Sequence, residues 1–358
     1  MRIPVTKPYL PDISEYKRLT DRIWTNGWLT NQGPLLTEFE ERLADFLEVE
    51  HLAVVSNGTA ALQLSLHSLP ENGEIITTPY SYVATTSSIV WERMKPVFAD
   101  IDPNTACISP EEVESKITSE TTAILATHVY GNPCDLNSLQ AVAEKHHIKL
   151  IYDGAHAFGT RFRNKSIGSF GDLTTLSFHS TKIFHSVNGG AVICKNEEDK
   201  ERIVRYRNFG HVGVNAFDGV GINAKMSEFH AAMGLLNLKK APDLIEKRKE
   251  QWLFYAYNIR NTSLKTISIK DFSGYNCAYF PLFFGSEEKL KEAITSASKN
   301  GIELRRYFNP ALNLLDYVEY SSCPIAEDLS ARVCCLPLYH TITSSEQEEV
   351  LKVVLKNE

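Results

Sequence analysis

No run of eighteen apolar residues occurs anywhere in the 358-residue chain, so no membrane-spanning helix is expected. The opening MRIPVTKPYL lacks the charged-then-apolar layout of a secretory signal, and the chain is expected in the cytoplasm with no membrane partner. No block of five or six like charges appears, and 37 Lys+Arg stand against 44 Asp+Glu for a net charge of -7. That balance argues against nucleic-acid binding by counterion release. The seven cysteines (Cys107, Cys134, Cys194, Cys277, Cys323, Cys334, Cys335) include no C-x-x-C pair, which speaks against a disulfide framework or a zinc knuckle. Buried reduced thiols are expected, and no metal site. Internal repeats of 20 to 50 residues and low-complexity tracts are also missing, so solenoids and fibrous arrays are excluded.

What remains is a globular chain with 43% hydrophobic and 23% charged residues, long enough for a large core and about two domains. Between about residues 50 and 195, short apolar runs alternate with helix-length segments: LAVV (52–55), EIITT (74–78), PVFADI (96–101), TAILATHV (122–129), IKLIYD (148–153), LTTLSF (173–178) and GAVIC (190–194). Continuous apolar runs, rather than alternating ones, predict a mostly parallel sheet covered on both faces, built from β-α-β units. Helical spacing predicts helices over 35–47 and 109–117, the second opening on Ser109-Pro110-Glu111-Glu112. Two more helical segments span 226–262, and the pattern then restarts with AYFPLFF (278–284) and a helix over 287–300. The reading is a large α/β domain over 1–240 and a smaller α+β domain over 241–358.

Three sites in this frame carry chemistry. Ser56-Asn57-Gly58-Thr59 follows the first strand and opens a helix, where free N–H groups and the dipole suit a phosphate; a plain capped β-α turn would look similar. Asp153 ends the run IKLIY, at the strand edge where open α/β sheets place ligands, or else it caps the next helix. Lys182 follows another apolar strand and a hydroxyl-rich turn, 29 residues after Asp153. A lysine near an apolar wall has a depressed pKa and can condense with an aldehyde. Together, a phosphate cradle, an acid and a lysine at strand ends form the set that holds pyridoxal 5′-phosphate.

With those residues in place, the sequence resembles the DegT/DnrJ/EryC1/StrS sugar aminotransferases, fold-type-I pyridoxal-phosphate enzymes. The blocks that carry the resemblance run through nearly the whole chain, among them GWLTNQGPLLTEFEERLADFL, SNGTAALQLSL, TTPYSYVATTSSI, YDGAHAFGT, GDLTTLSFHSTK, GINAKMSEFHAAMG and RRYFNPALN. The resemblance implies that Lys182 bonds the cofactor and shuttles protons, and that Asp153 pairs with the pyridine nitrogen. It implies that His156, where many relatives carry Gln, approaches the ring oxygen, that Tyr82 stacks on the ring, and that Gly58, Thr59 and Ser177 bind phosphate. Asn223 and Lys225 match a segment that reaches the partner subunit's site in this family, which implies a homodimer with shared active sites. His179, Arg306, Tyr307 and Asn313 match positions on the substrate side.

The branch most resembled aminates C4 of dTDP-4-dehydro-6-deoxyglucose with L-glutamate as donor, for surface polysaccharide synthesis. Alternatives within the family are 3-amination, or 4-amination of a perosamine- or bacillosamine-type precursor. Phe178-His179-Ser180-Thr181-Lys182, in place of the Phe-Tyr-Pro-Gly-Lys block of the 3-amino branch, favours C4. Val187-Asn188-Gly189-Gly190 keeps the glycines that follow the lysine in relatives but has an amide where they have an acid. Two other classes stand against the enzyme. A cofactor-binding regulator would carry an added DNA-binding domain or lack the lysine, and a purely structural α/β protein would carry no chromophore.

Overall fold

The seven apolar runs become seven strands of one sheet: β1 (His51–Val55), β2 (Glu74–Thr77), β3 (Lys95–Phe98), β4 (Thr121–Thr127), β5 (Lys149–Asp153), β6 (Leu173–Ser177) and β7 (Gly190–Cys194). The computed structural model describes residues 2–356. Strand order across the sheet is β1-β7-β6-β5-β4-β2-β3. The β3–β2, β2–β4, β4–β5 and β5–β6 pairs are parallel, as the alternation predicts. β7 is the exception, antiparallel to both β1 and β6, because residues 178–189 contain no α-helix to carry the chain back across the sheet. Buried residues run along both faces: Ile75, Leu125, Ile151 and Val192 belong to one apolar cluster, and Ile76, Ile124, Leu150 and Tyr152 to another.

Twelve α-helices surround this sheet and a second lobe among the described residues. Four of them position the site or the lobes: α2 (Pro34–Leu47), α3 (Gly58–His67), α4 (Val83–Trp91) and α8 (Glu228–Leu238). The Asn57 side chain caps α3 by accepting from the Ala60 amide at 2.8 Å. Helix α2 begins on Gly33 and Pro34 with no cap of its own, and the buried Glu228 carboxylate of α8 accepts from both Leu35 and Leu36 amides at 2.8 Å. An acid at a helix N-terminus satisfies two otherwise orphaned donors and the dipole at once.

After α8 the chain turns at Lys239–Lys240 into α9 (Ala241–Ile259), and the C-terminal lobe pairs β8 (Phe280–Phe283) with β9 (Val333–Leu336). Its core gathers Trp252, Tyr255, Phe280, Leu290 and Val350. One boundary departs from the reading of 1–240 as a single unit. Ile3 packs in the C-terminal lobe's core and bridges Ile302, and Leu338 N–H donates to the Val5 carbonyl at 3.1 Å. The first residues of the chain are thus an extra edge of the C-terminal lobe. All seven cysteines are buried and free.

Candidate active site

The carboxyl ends of β5 and β6 and the start of α3 open into one cavity of about 620 Å³. A sheet whose parallel strands end together leaves such a crevice at their carboxyl edge, the place where this architecture binds ligands. Asp153 is the last residue of β5, 4% exposed. Its Oδ1 accepts from the Ala155 amide at 3.0 Å and its Oδ2 from the Thr85 hydroxyl at 2.8 Å. A hydroxyl relay supports Thr85: Ser81 Oγ lies 2.8 Å from it, and Thr127 Oγ1 donates to Ser81 Oγ at 3.1 Å. Burial raises the Asp153 pKa, while these hydrogen bonds and the Lys182 charge pull it back down.

Lys182 lies five residues past β6, in a turn closed by its own N–H donating to the His179 carbonyl at 2.9 Å. Burial pushes its amine pKa down to about 8, with Asp153 opposing that shift. The amine is therefore partly neutral near physiological pH, as a base or nucleophile requires. Its Nζ donates to the Tyr279 hydroxyl at 3.4 Å.

Gly58 begins α3 against Ser177 at the end of β6, and a Cβ on Gly58 would lie 2.7 Å from the Ser177 Cβ. Only glycine lets the two segments approach this closely, and the Gly58 and Thr59 amides that open α3 have no carbonyl of their own helix to bond and suit an anion. This cradle, the lysine and the buried acid fit pyridoxal 5′-phosphate: Gly58, Thr59 and Ser177 would hold the phosphate, Asp153 the ring nitrogen and Lys182 the aldehyde carbon. His156 is buried, and its Nδ1 accepts from the Tyr130 amide at 3.2 Å. Burial, and secondarily the Lys182 charge, holds its pKa well below the usual histidine value, so the ring is neutral with its proton on Nε2. Phe308 stacks on it at 5.4 Å, which fixes the ring's plane.

Most of the residues singled out in the sequence meet at this cavity. Gly58, Thr59, Tyr82, Asp153, His156, Ser177, His179, Lys182, Asn223 and Tyr307 all line it. Tyr82 is 56% exposed at its mouth, and the His179 Nδ1 lies 2.9 Å from the Thr181 hydroxyl. Two expectations are corrected. Arg306 faces away from the cavity, its guanidinium donating to the Ala331 carbonyl at 2.7 Å and pairing with Glu287 at 3.3 Å, whereas the neighbouring Arg305 lines the wall. Asn313 is buried outside it, its amide donating to Glu327 at 2.6 Å and to the Ser321 carbonyl at 2.8 Å. Lys225, expected to serve a partner's site, lies outside this chain's cavity, with Nζ donating to Asn208 Oδ1 at 2.7 Å and resting 4.9 Å over the Phe209 ring. Sequence reasoning missed Thr85, Tyr279 and Arg305. Thr85 had a signal, the hydroxyl-rich segment TTPYSYVATTSS; Tyr279 lies within an apolar run and carried none.

Strand order, the cavity at the strand ends and the lysine–acid–helix set define an aminotransferase of fold type I. The chain belongs to the DegT/DnrJ/EryC1/StrS aminotransferase family, whose sequence pattern matches residues 12–355. It is 39% identical to a dTDP-4-amino-4,6-dideoxy-D-glucose transaminase of Shigella dysenteriae, over 98% of this chain and 97% of that one. It is 30% identical to a GDP-perosamine synthase of Vibrio cholerae, over 98% of both chains. Among solved structures it is similar to DesI in the presence of its TDP-sugar product, with a TM-score of 0.91 and 31% identity over 99% of this chain and 91% of that one. It is also similar to PseC of Helicobacter pylori, an aminotransferase, with a TM-score of 0.93 and 26% identity over 100% and 99% of the two chains.

Proposed function

We propose that this chain binds pyridoxal 5′-phosphate and moves the amino group of L-glutamate to C4 of dTDP-4-dehydro-6-deoxy-D-glucose, giving dTDP-4-amino-4,6-dideoxy-D-glucose. The observation that carries the chemistry is the meeting of Lys182, Asp153 and the α3 N-terminus in one cavity. The sugar class follows from similarity: the Shigella dysenteriae and Escherichia coli transaminases named for this product are 39% and 38% identical to the chain, above the 30% of the perosamine synthase.

When bound, the cofactor supplies an electron sink and carries the amino group between the two substrates. The rest falls to the protein. Asp153, held by Thr85 and the Ala155 amide, would hold a proton on the ring nitrogen and so favour the electron sink that the cofactor supplies. The Lys182 amine takes the α-proton of L-glutamate in one half of the cycle and delivers a proton to sugar C4 in the other. His156 Nε2–H would donate toward the ring oxygen, and the amides that open α3 would hold the phosphate with Ser177.

A second copy of the chain completes the site in this reading. Asn223 lines the cavity while Lys225, two residues on, lies outside it beside Asn208, where a partner copy would meet it. Trp24, Trp91, Val214 and Val220 are each more than 70% exposed, apolar surface that a homodimer would cover. The product would feed a glycosyl transfer into surface polysaccharide from the cytoplasm. The test is a steady-state comparison of kcat/KM for dTDP-4-dehydro-6-deoxy-D-glucose against GDP-4-dehydro-6-deoxy-D-mannose with L-glutamate as donor. A preference for the dTDP sugar of tenfold or more, on the order of 1.4 kcal/mol in transition-state binding, supports the assignment. A preference for the GDP sugar overturns it.

A further inference from the structure

The Lys182 amine has a single side-chain hydrogen-bond partner among the described residues, and that partner comes from the other lobe. Nζ donates to the Tyr279 hydroxyl at 3.4 Å. The tyrosine ring is boxed by His156 at 4.6 Å, Tyr307 at 5.7 Å and Tyr130 at 6.1 Å between centroids.

The backbone that presents this ring is held to an unusual degree. Trp252 Nε1–H donates to the Tyr279 carbonyl at 3.2 Å, and the Tyr275 hydroxyl, which donates to the Tyr130 carbonyl at 3.0 Å, lies 3.4 Å from the same oxygen. The Asn276 amide donates to the carbonyls of His156 and Phe158 at 2.7 and 2.9 Å. Arg248, 6% exposed and in no ion pair among the described residues, donates to the Ala278 carbonyl at 3.1 Å. A buried guanidinium without an acid partner is costly, so its use on the carbonyl next to Tyr279 needs a reason. The position of one hydroxyl beside the reactive amine supplies it.

We propose that Tyr279 is a positioning residue that holds the Lys182 amine while it is free, between the two proton transfers of the cycle. The inference rests on the aminotransferase reading above. A free lysine has a flexible four-carbon stem and would wander from the reacting carbons without an anchor. A 3.4 Å contact is long and weak, so it orients the amine without trapping it. Burial raises the phenol pKa, and Tyr279 therefore stays neutral and accepts from the amine without giving up its own proton.

The test uses the Tyr279→Phe variant of the full chain, freed of cofactor, with the apparent pKa of Lys182 measured by competitive acetylation and mass spectrometry. A wild-type midpoint near 8 is expected. An ammonium donates more strongly than a neutral amine, so removing the acceptor lowers the midpoint by roughly half a unit or more. In the loaded enzyme kcat falls about tenfold while KM for L-glutamate holds, as loss of orientation rather than binding requires. Should Tyr279→Phe fail to fold, 4-fluorophenylalanine at 279 fills the hydroxyl's space with a poor acceptor and should give the same shift. An unchanged midpoint overturns the inference and leaves the aminotransferase reading standing. Absence of transamination in the wild-type protein overturns that reading and this inference with it.

Discussion

Asp153 and Lys182 enter one cavity from neighbouring parallel strands, the acid as the last residue of β5 and the lysine five residues beyond β6. Burial drives their pKa values toward each other, raising the acid and lowering the amine, while the charge of each opposes the shift of the other. A cationic ring nitrogen placed against Asp153 would relieve the acid and release the lysine for proton transfer.

Replacing Asp153 by Asn keeps the size and the Thr85 contact but removes the charge that keeps the ring nitrogen protonated. We expect kcat to fall by about 10² or more, the scale of losing one preorganised electrostatic partner. Steady-state transamination measures it; a loss under threefold would show that the acid has no such role.

At Gly58 the added methyl of Gly58→Ala would sit 2.7 Å from the Ser177 Cβ and push the phosphate cradle open. The cofactor Kd, read from an absorbance titration, should rise about tenfold or more. The double variant Gly58→Ala, Ser177→Gly should recover part of the loss. Equal affinity in wild type and Gly58→Ala would place the phosphate elsewhere.

His156 is expected to act as a neutral donor whose Nδ1 is already occupied by the Tyr130 amide. Glutamine can make both bonds and leucine neither, so His156→Gln should keep kcat within about threefold and His156→Leu should lose tenfold or more. Nitrogen NMR should show the Nε2–H tautomer from pH 5 to 9. A ring that titrates in that range would contradict the assignment.

A separate acid sensitivity comes from His128, fully buried against Tyr152 at 4.4 Å, with a pKa pushed by burial from 6.5 down to about 3. Between those values the unfolded chain binds a proton that the folded one refuses, so stability falls as pH drops below 6.5. The slope from this group is about 1.4 kcal/mol per pH unit. Urea unfolding between pH 7 and 5 should show a shallower decline for His128→Asn than for wild type; parallel declines would refute the attribution.

Much of this molecule is legible in its sequence. The seven strands announce themselves because a sheet covered on both faces needs continuous apolar runs, and Asp153 and Lys182 stand out because they end or follow such runs. The direction of β7 is not legible, since it depends on how residues 178–189 return rather than on the strand's own composition. Arg305 and Arg306 sit side by side in an extended segment, where adjacent side chains take opposite faces, and nothing local says which one faces the cavity. Asn313 belongs to a motif, yet its amide is engaged by Glu327 and the Ser321 carbonyl. Ile3 joins the C-terminal lobe through a bridge to Ile302, a contact between distant parts of the chain that local pattern cannot reveal.

Both halves of the cycle can be followed in one cuvette. The purified, cofactor-loaded protein is bleached with L-glutamate, freed of donor, and given dTDP-4-dehydro-6-deoxy-D-glucose. The yellow absorbance should return stoichiometrically with one equivalent of dTDP-4-amino-4,6-dideoxy-D-glucose, and Lys182→Ala should neither bleach nor recover at a comparable rate. Bleaching without recovery would contradict the sugar assignment. A protein that takes up no chromophore, or a Lys182→Ala variant that turns over like wild type, would contradict the aminotransferase chemistry itself.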